Sequence, residues 1–320
     1  LTSDRLRDHA RGMIRLLSRS LIALALLLPI AGTAQTMPRT GAPVASPTPA
    51  AAPRTILFVG NSFTFGAHSP VERFRPQTVT DLNGDGFGGV PALFKAFTAA
   101  MGEDWRVSLE TVPGAGLDLH WTEKRELIDR PWDVVVLQGY STLDRERPGN
   151  PDTHIRYARM LGEMMKAANP RVRVELVATW TRADQVWKPE GHWFDKPVGC
   201  MAEDLQRASI KAMRGSRAID GVVPVGLAWN RAFETGLADP NPYDGLEAGR
   251  IDLWTWDQYH ASAAGYYLEA LMVFGKVTGI DPRRLTREET AGRDLGLSPD
   301  HIAALQAIAQ ETLARDGRMR

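Results

Sequence analysis

The sequence is poor in several things, and each shortage closes off a class of protein. Cys200 is the single cysteine among 320 residues. One thiol forms no disulfide within the chain and no cysteine-built zinc site, so Cys200 reads as a small side chain in or near the core. An excess of charge of one sign is also lacking, with 38 Lys and Arg against 38 Asp and Glu. That balance gives no pull toward nucleic acid or an anionic membrane face, and neither is expected as a partner. Long apolar runs are missing too. The run at residues 21–30, LIALALLLPI, is far shorter than the ~20 residues a spanning helix needs. No integral membrane segment is therefore expected after processing, and no internal repeat is visible.

That short run has a purpose of its own. Arg11, Arg15 and Arg19 precede it, and Gly32 and Ala34 follow in a small-x-small pattern ending before Gln35. Basic, apolar and small, in that order, is the composition of a secretory signal. Residues 1–34 are thus expected to direct export, periplasmic or secreted, with Met13 as an alternative start. Residues 35–54 are rich in Pro, Ala, Ser and Thr and bury too little apolar surface to fold. They read as a linker, which leaves residues 55–320 as the folded domain.

Within that domain, apolar runs alternate with helical spacing. The runs fall at 56–60 (ILFVG), 107–112, 134–138 (VVVLQ), 172–179 and 221–225. The first and third are nearly continuous in Val, Ile and Leu, as strands buried on both faces are. Helical patterns lie at 90–101, 117–128, 152–168, 198–213, 261–277 and 299–313, the last opening after Ser298 in an N-cap position. The alternation predicts a three-layer α/β domain. Sites in such sheets form beyond the carboxyl ends of the strands, so the loops after residues 60, 112, 138, 179 and 226 are the ones to search.

The first of these loops reads GNSFTFG from Gly60. A serine at the end of a buried strand can expose its hydroxyl at the sheet's edge, where a sharp turn frees backbone N–H groups for an oxyanion. Taken alone, Gly60-Asn61-Ser62 is equally an ordinary turn. Near the other end, Asp257 and His260 stand three apart before a helical pattern. That spacing lets a carboxylate orient an imidazole, which a serine nucleophile needs as its base. Alone, Asp257 is equally a helix cap. The two motifs together are more specific than either.

In these blocks the sequence resembles the GDSL/SGNH hydrolase family. Gly60-Asn61-Ser62 is similar to the family's first block, with Asn where Asp is usual, and Asp257-Gln258-Tyr259-His260 matches its last, Asp-x-x-His. VPGAGLDLHW, from Val112, looks like the second block, whose glycine N–H lines the oxyanion hole; Gly114 fits best and Gly116 is the alternative. In VVVLQGYS, Gln138 stands where the third block usually has an asparagine, as in a subgroup with Asn-Ser in the first block and Leu-Gln in the third. The resemblance implies a flavodoxin-like fold with a parallel sheet of about five strands. It also implies a serine esterase with Ser62, Asp257 and His260 as triad and Ser62, Gly114 and Gln138 around the oxyanion, acting on acyl esters such as acetyl. An O-acyltransferase with the same triad and an inactive glycan-binding module are the alternatives. No cofactor is implied.

The remaining features refine the substrate. Trp180, Trp187 and Trp193 crowd the segment after the fourth run, and Trp254 and Trp256 precede the Asp-x-x-His block. Flat aromatic faces beside a site suit stacking on sugar rings. Asn61, Trp180 and Trp254 are accordingly expected to bind substrate, and a carbohydrate ester is the expected class. Asp81, Asn83, Asp85 and Gly86 have the spacing of a calcium loop, but Ala92 stands where its bidentate glutamate belongs, and an ordinary glycine-rich loop is expected. His68, His120, His154, His192 and His301 are scattered without a paired metal-ligand signature. No metal site is expected.

Overall fold

Strands buried on both faces must divide alternate side chains between two cores. In a computed structural model, which describes residues 52–318, β1 (Arg54–Gly60) sends Ile56 and Phe58 into one core and Leu57 and Val59 into the other. β2 (Thr80–Asp81), β3 (Trp105–Thr111), β4 (Val134–Gln138), β5 (Arg173–Ala178) and β6 (Gly221–Pro224) complete an all-parallel sheet. Its order is β2-β3-β1-β4-β5-β6. Apart from β2, a two-residue edge strand that the sequence did not announce, this is the flavodoxin-like order. The winding reverses beside β1, whose Phe58 is in register with Leu109 of β3 and Val136 of β4.

The helices are α1 (Ser62–Phe65), α2 (Gly89–Ala100), α3 (Leu117–Glu123), α4 (Arg125–Ile128), α5 (Asp152–Ala168), α6 (Ala183–Trp187), α7 (Cys200–Arg214), α8 (Val225–Glu234), α9 (Ala263–Thr278), α10 (Thr290–Asp294) and α11 (Pro299–Arg318). α2, α8, α9 and α11 cover the face that carries Ile56 and Phe58; α3, α5 and α7 cover the other. A helix that is apolar all round belongs inside, and α9 is buried from Ala264 to Gly275, packed against α2, α8 and α11. Ser262 caps its start, accepting from the Gly265 N–H, and Gly279 ends it in the left-handed region at φ 75°.

The short helices α1, α6 and α10 were not announced by the sequence pattern, and two longer stretches differ from it. The expected helix at 117–128 breaks at Lys124 into α3 and α4. The run at 221–225 passes directly into α8, which the pattern missed. Pro224 has no N–H for the ladder and is tolerated at a helix start, so strand and helix abut without a loop between them. Among the described residues, no helix is long and apolar enough to cross a membrane. The expected signal and nearly all of the linker, residues 1–51, lie outside the described residues.

Candidate active site

β1 ends against a tightly packed turn. A Cβ on Gly60 would lie 2.2 Å from Thr64 Oγ1 and 2.7 Å from Gln138 Oε1, so only glycine fits there. Asn61 caps α1 by accepting the Phe63 N–H at 3.0 Å. Its Nδ2 donates to the carbonyls of Ala115 (2.8 Å) and Gly139 (3.3 Å), tying together the loops that follow β1, β3 and β4. Ser62 opens α1, and Tyr266 of α9 donates its hydroxyl to the Ser62 carbonyl from behind at 3.2 Å.

The loop before α9 brings the second half. Asp257 Oδ1 accepts the backbone N–H groups of Tyr259 (3.0 Å) and His260 (2.9 Å). Its Oδ2 lies 2.7 Å from His260 Nδ1, and His260 Nε2 lies 2.9 Å from Ser62 Oγ. An ionised carboxylate only accepts, so Nδ1 carries the proton of the neutral ring and Nε2 presents its lone pair to the Ser62 hydroxyl. Burial would raise the Asp257 carboxyl, but the hydrogen bonds from the His260 side chain and from two backbone N–H groups prevail and hold it below the ordinary value. Burial lowers the His260 imidazole below its ordinary value; Asp257 opposes this, while His68 and Arg182 add to it. The ring therefore favours its neutral, proton-accepting form.

Backbone donors stand beside this chain of bonds. Among the described residues, nothing accepts from the N–H groups of Ser62, Gly114 or Gly116. Gly114 sits in the left-handed region at φ 67°, and its carbonyl accepts from Arg145 Nη2 at 2.5 Å. A cavity of about 410 Å³ opens along this loop, lined by Gly114, Gly116, Asp118, Tyr140 and Arg145.

Several expected residues have other work. Gln138 is fully buried, and its Oε1 accepts from the Asn61 N–H (2.9 Å) and from Thr64 Oγ1 (3.0 Å). Its Nε2 donates to the Gly139 carbonyl. Oxygen and nitrogen of the amide both have protein partners, and through them Gln138 braces α1 against β4. Asn61 is likewise buried with its amide in use, and does not present itself to substrate. Trp180 and Trp254, 0% and 1% exposed, are wall and not platform. Trp180 is stacked between Phe63 and Trp229 and donates to the Tyr259 carbonyl at 3.3 Å. Trp254 donates to the Thr181 carbonyl at 2.9 Å. The exposed aromatic ring beside the site is Trp256, at 71%.

The calcium-like spacing is also absorbed by the fold. Asp81 accepts the N–H groups of Asn83 and Phe87, and Asn83 bonds Glu110, Thr111 and Lys124. Of the scattered histidines, His120 is buried with its Nδ1 2.5 Å from Glu110 Oε2. His68 is the one that sequence reasoning missed. Its Nε2 lies 4.0 Å from Asp257 Oδ2, and its ring stands edge-on to His260 with centroids 4.8 Å apart. Its position only six residues beyond Ser62 was the available signal.

No protein-family model matches the sequence, and no curated protein matches it. Among solved structures, the chain is similar to a DUF4886 family protein from Bacteroides uniformis, with 19% identity over 82% of this chain and 95% of that one, at a TM-score of 0.58. That likeness is one of fold. An acetylxylan esterase from Geobacillus stearothermophilus aligns more loosely, with 16% identity over 70% of this chain and 94% of that one, at a TM-score of 0.45.

Proposed function

We propose that the chain is a serine esterase of the GDSL/SGNH type, with Ser62 as nucleophile, His260 as base and Asp257 as the orienting acid. The observation that carries this reading is the continuous chain Ser62 Oγ, His260 Nε2, His260 Nδ1, Asp257 Oδ2, with links of 2.9 and 2.7 Å. In the reaction, His260 Nε2 takes the Ser62 proton as Oγ attacks the ester carbonyl, and Asp257 stabilises the imidazolium. The proton passes to the leaving alcohol. Water then releases the acid by the same route in reverse.

The tetrahedral oxyanion is held by the N–H groups of Ser62 and Gly114, a role supported by their meeting no acceptor among the described residues. Gln138 supports the hole by holding the α1 turn in place. The substrate class is an acyl ester, acetyl foremost, on a carbohydrate. Trp256 supports this with a free aromatic face packed edge-on to His68, beside Asp257. Export is part of the proposal and rests on the basic, apolar and small sequence of residues 11–34.

The test is acid release from an acetylated oligosaccharide, with and without an added sugar alcohol. Release that depends on Ser62 and ignores the acceptor identifies a hydrolase. Acetyl transfer that needs the acceptor identifies the acyltransferase alternative. Release that is unchanged in Ser62→Ala ends the serine mechanism.

A further inference from the structure

We propose that His68, Asp257 and His260 form an inhibitory site for a transition-metal dication, zinc foremost, in which the ion replaces the proton shared by His260 Nδ1 and Asp257. The inhibitory consequence rests on the esterase reading above; the binding does not. Two imidazoles and a carboxylate converge here. His68 Nε2 is 4.0 Å and His260 Nδ1 is 2.7 Å from the same Asp257 oxygen, and the three ligand atoms all lie within 4.8 Å of one another. Zinc bonds nitrogen and oxygen at about 2.0–2.2 Å, which sets ligand atoms roughly 3.3 Å apart around a tetrahedral ion. Zinc would thus need the 4.0 Å gap to close by about 0.7 Å and the 2.7 Å gap to open by about 0.6 Å. The gap between the two imidazole nitrogens, at most 4.8 Å, would close by up to about 1.5 Å, and these movements are within reach of the half-exposed His68 ring. Nitrogen donors suit zinc or copper and not magnesium or calcium, which take oxygen.

The local structure presents His68 for this. Its backbone is in the left-handed region at φ 61°, which costs a non-glycine residue strain. The Asp257 loop holds it there: Thr255 Oγ1 donates to the His68 carbonyl at 3.1 Å, and Trp256 packs edge-on to its ring. Neither ring nitrogen of His68 makes a hydrogen bond among the described residues, and at 45% side-chain exposure the ring is open to ions from solvent. An ion on Nδ1 takes the lone pair of that nitrogen, and the single proton of the neutral ring moves to Nε2. The ion also occupies the carboxylate that would stabilise the imidazolium. Nε2, 2.9 Å from Ser62 Oγ, is then an N–H donor with no lone pair for the Ser62 proton, and the serine is left unactivated.

The test separates binding from turnover. Zinc chloride is titrated by calorimetry into Ser62→Ala, which keeps all three ligands, and into Ser62→Ala/His68→Asn. Asparagine tolerates the left-handed backbone and is too short to reach Asp257, so the loop keeps its shape. Losing even an outer partner of a metal costs ~10–100-fold in affinity, and losing His68 should cost at least about tenfold. Zinc should also inhibit activated-ester hydrolysis by the unsubstituted protein, reversibly with EDTA, and His68→Asn should need at least about ten times more zinc. Equal zinc affinity with and without His68 overturns the site. Zinc bound through His68 with no loss of rate overturns the inhibitory consequence. An unsubstituted protein with no zinc-free hydrolysis overturns the esterase reading and leaves the metal site standing on the calorimetry.

Discussion

Asp257 makes three hydrogen bonds at once, two to backbone N–H groups of its own turn and one to His260 Nδ1. The turn therefore fixes the carboxylate before the imidazole is placed against it. A base must be neutral to accept a proton, and burial already lowers His260 below an ordinary histidine. The acid limb of kcat/KM should accordingly fall below about pH 6.5. Asp257 favours the imidazolium, so Asp257→Asn should move that limb to still lower pH while reducing the maximum. A pH–rate series on both proteins checks this, and a limb that stays in place removes Asp257 from the pair. At this scale the sequence was informative where chemistry is local. Asp257 and His260 share one turn, and three positions of spacing reveal it. Burial is not local, and so Trp180 and Trp254 carried no sign that they face inward while Trp256 does not. An amide has two ends, and nothing around Gln138 in sequence tells that Asn61, Thr64 and Gly139 occupy both.

Between elements, the decisive contacts join α1 to the ends of β3 and β4. Gln138→Ala would leave the buried Asn61 N–H and Thr64 hydroxyl without their acceptor, a loss of about 1–3 kcal/mol for each unsatisfied group. The variant should unfold at clearly lower denaturant and lose activity as a consequence of the loosened turn. An oxyanion donor would behave otherwise, cutting turnover ~10²–10³-fold with stability intact. Denaturation and kinetics measured on one preparation tell these apart. Strands were the most legible elements because a parallel sheet forces unbroken apolar runs, and β4 is VVVLQ with no position open to solvent. β2 was not legible, since two residues carry no period. α8 was hidden because Pro224 closes a strand and opens a helix at the same position.

For the whole molecule, the order β2-β3-β1-β4-β5-β6 sets the candidate site beside the point where the winding reverses. Ser62 follows β1 directly, while His260 arrives from 198 residues further along the chain. The same packing encloses His154, whose Nε2 lies 3.3 Å from Ser209 Oγ. Burial lowers its imidazole from 6.5 to about 4. The unfolded chain therefore takes up a proton below about pH 6.5 that the folded chain refuses until about pH 4, and stability is lost as pH falls through that window. This one group should remove about 2 kcal/mol between pH 7.5 and pH 5. Urea denaturation at both values, compared with His154→Gln, should show the difference shrinking in the variant. An identical pH dependence in the two proteins would exclude His154 as its source.

The central claim is that Ser62 is a nucleophile activated by His260, and covalent capture tests it most directly. A fluorophosphonate reacts with an activated serine hydroxyl and leaves a stable adduct whose position peptide mass spectrometry reads. One adduct per chain is expected, on Ser62. It should be absent in Ser62→Ala and form at least about a hundredfold more slowly in His260→Ala, as expected when the base of such a unit is removed. Labelling that persists in Ser62→Ala, or that proceeds at the same rate without His260, would contradict it.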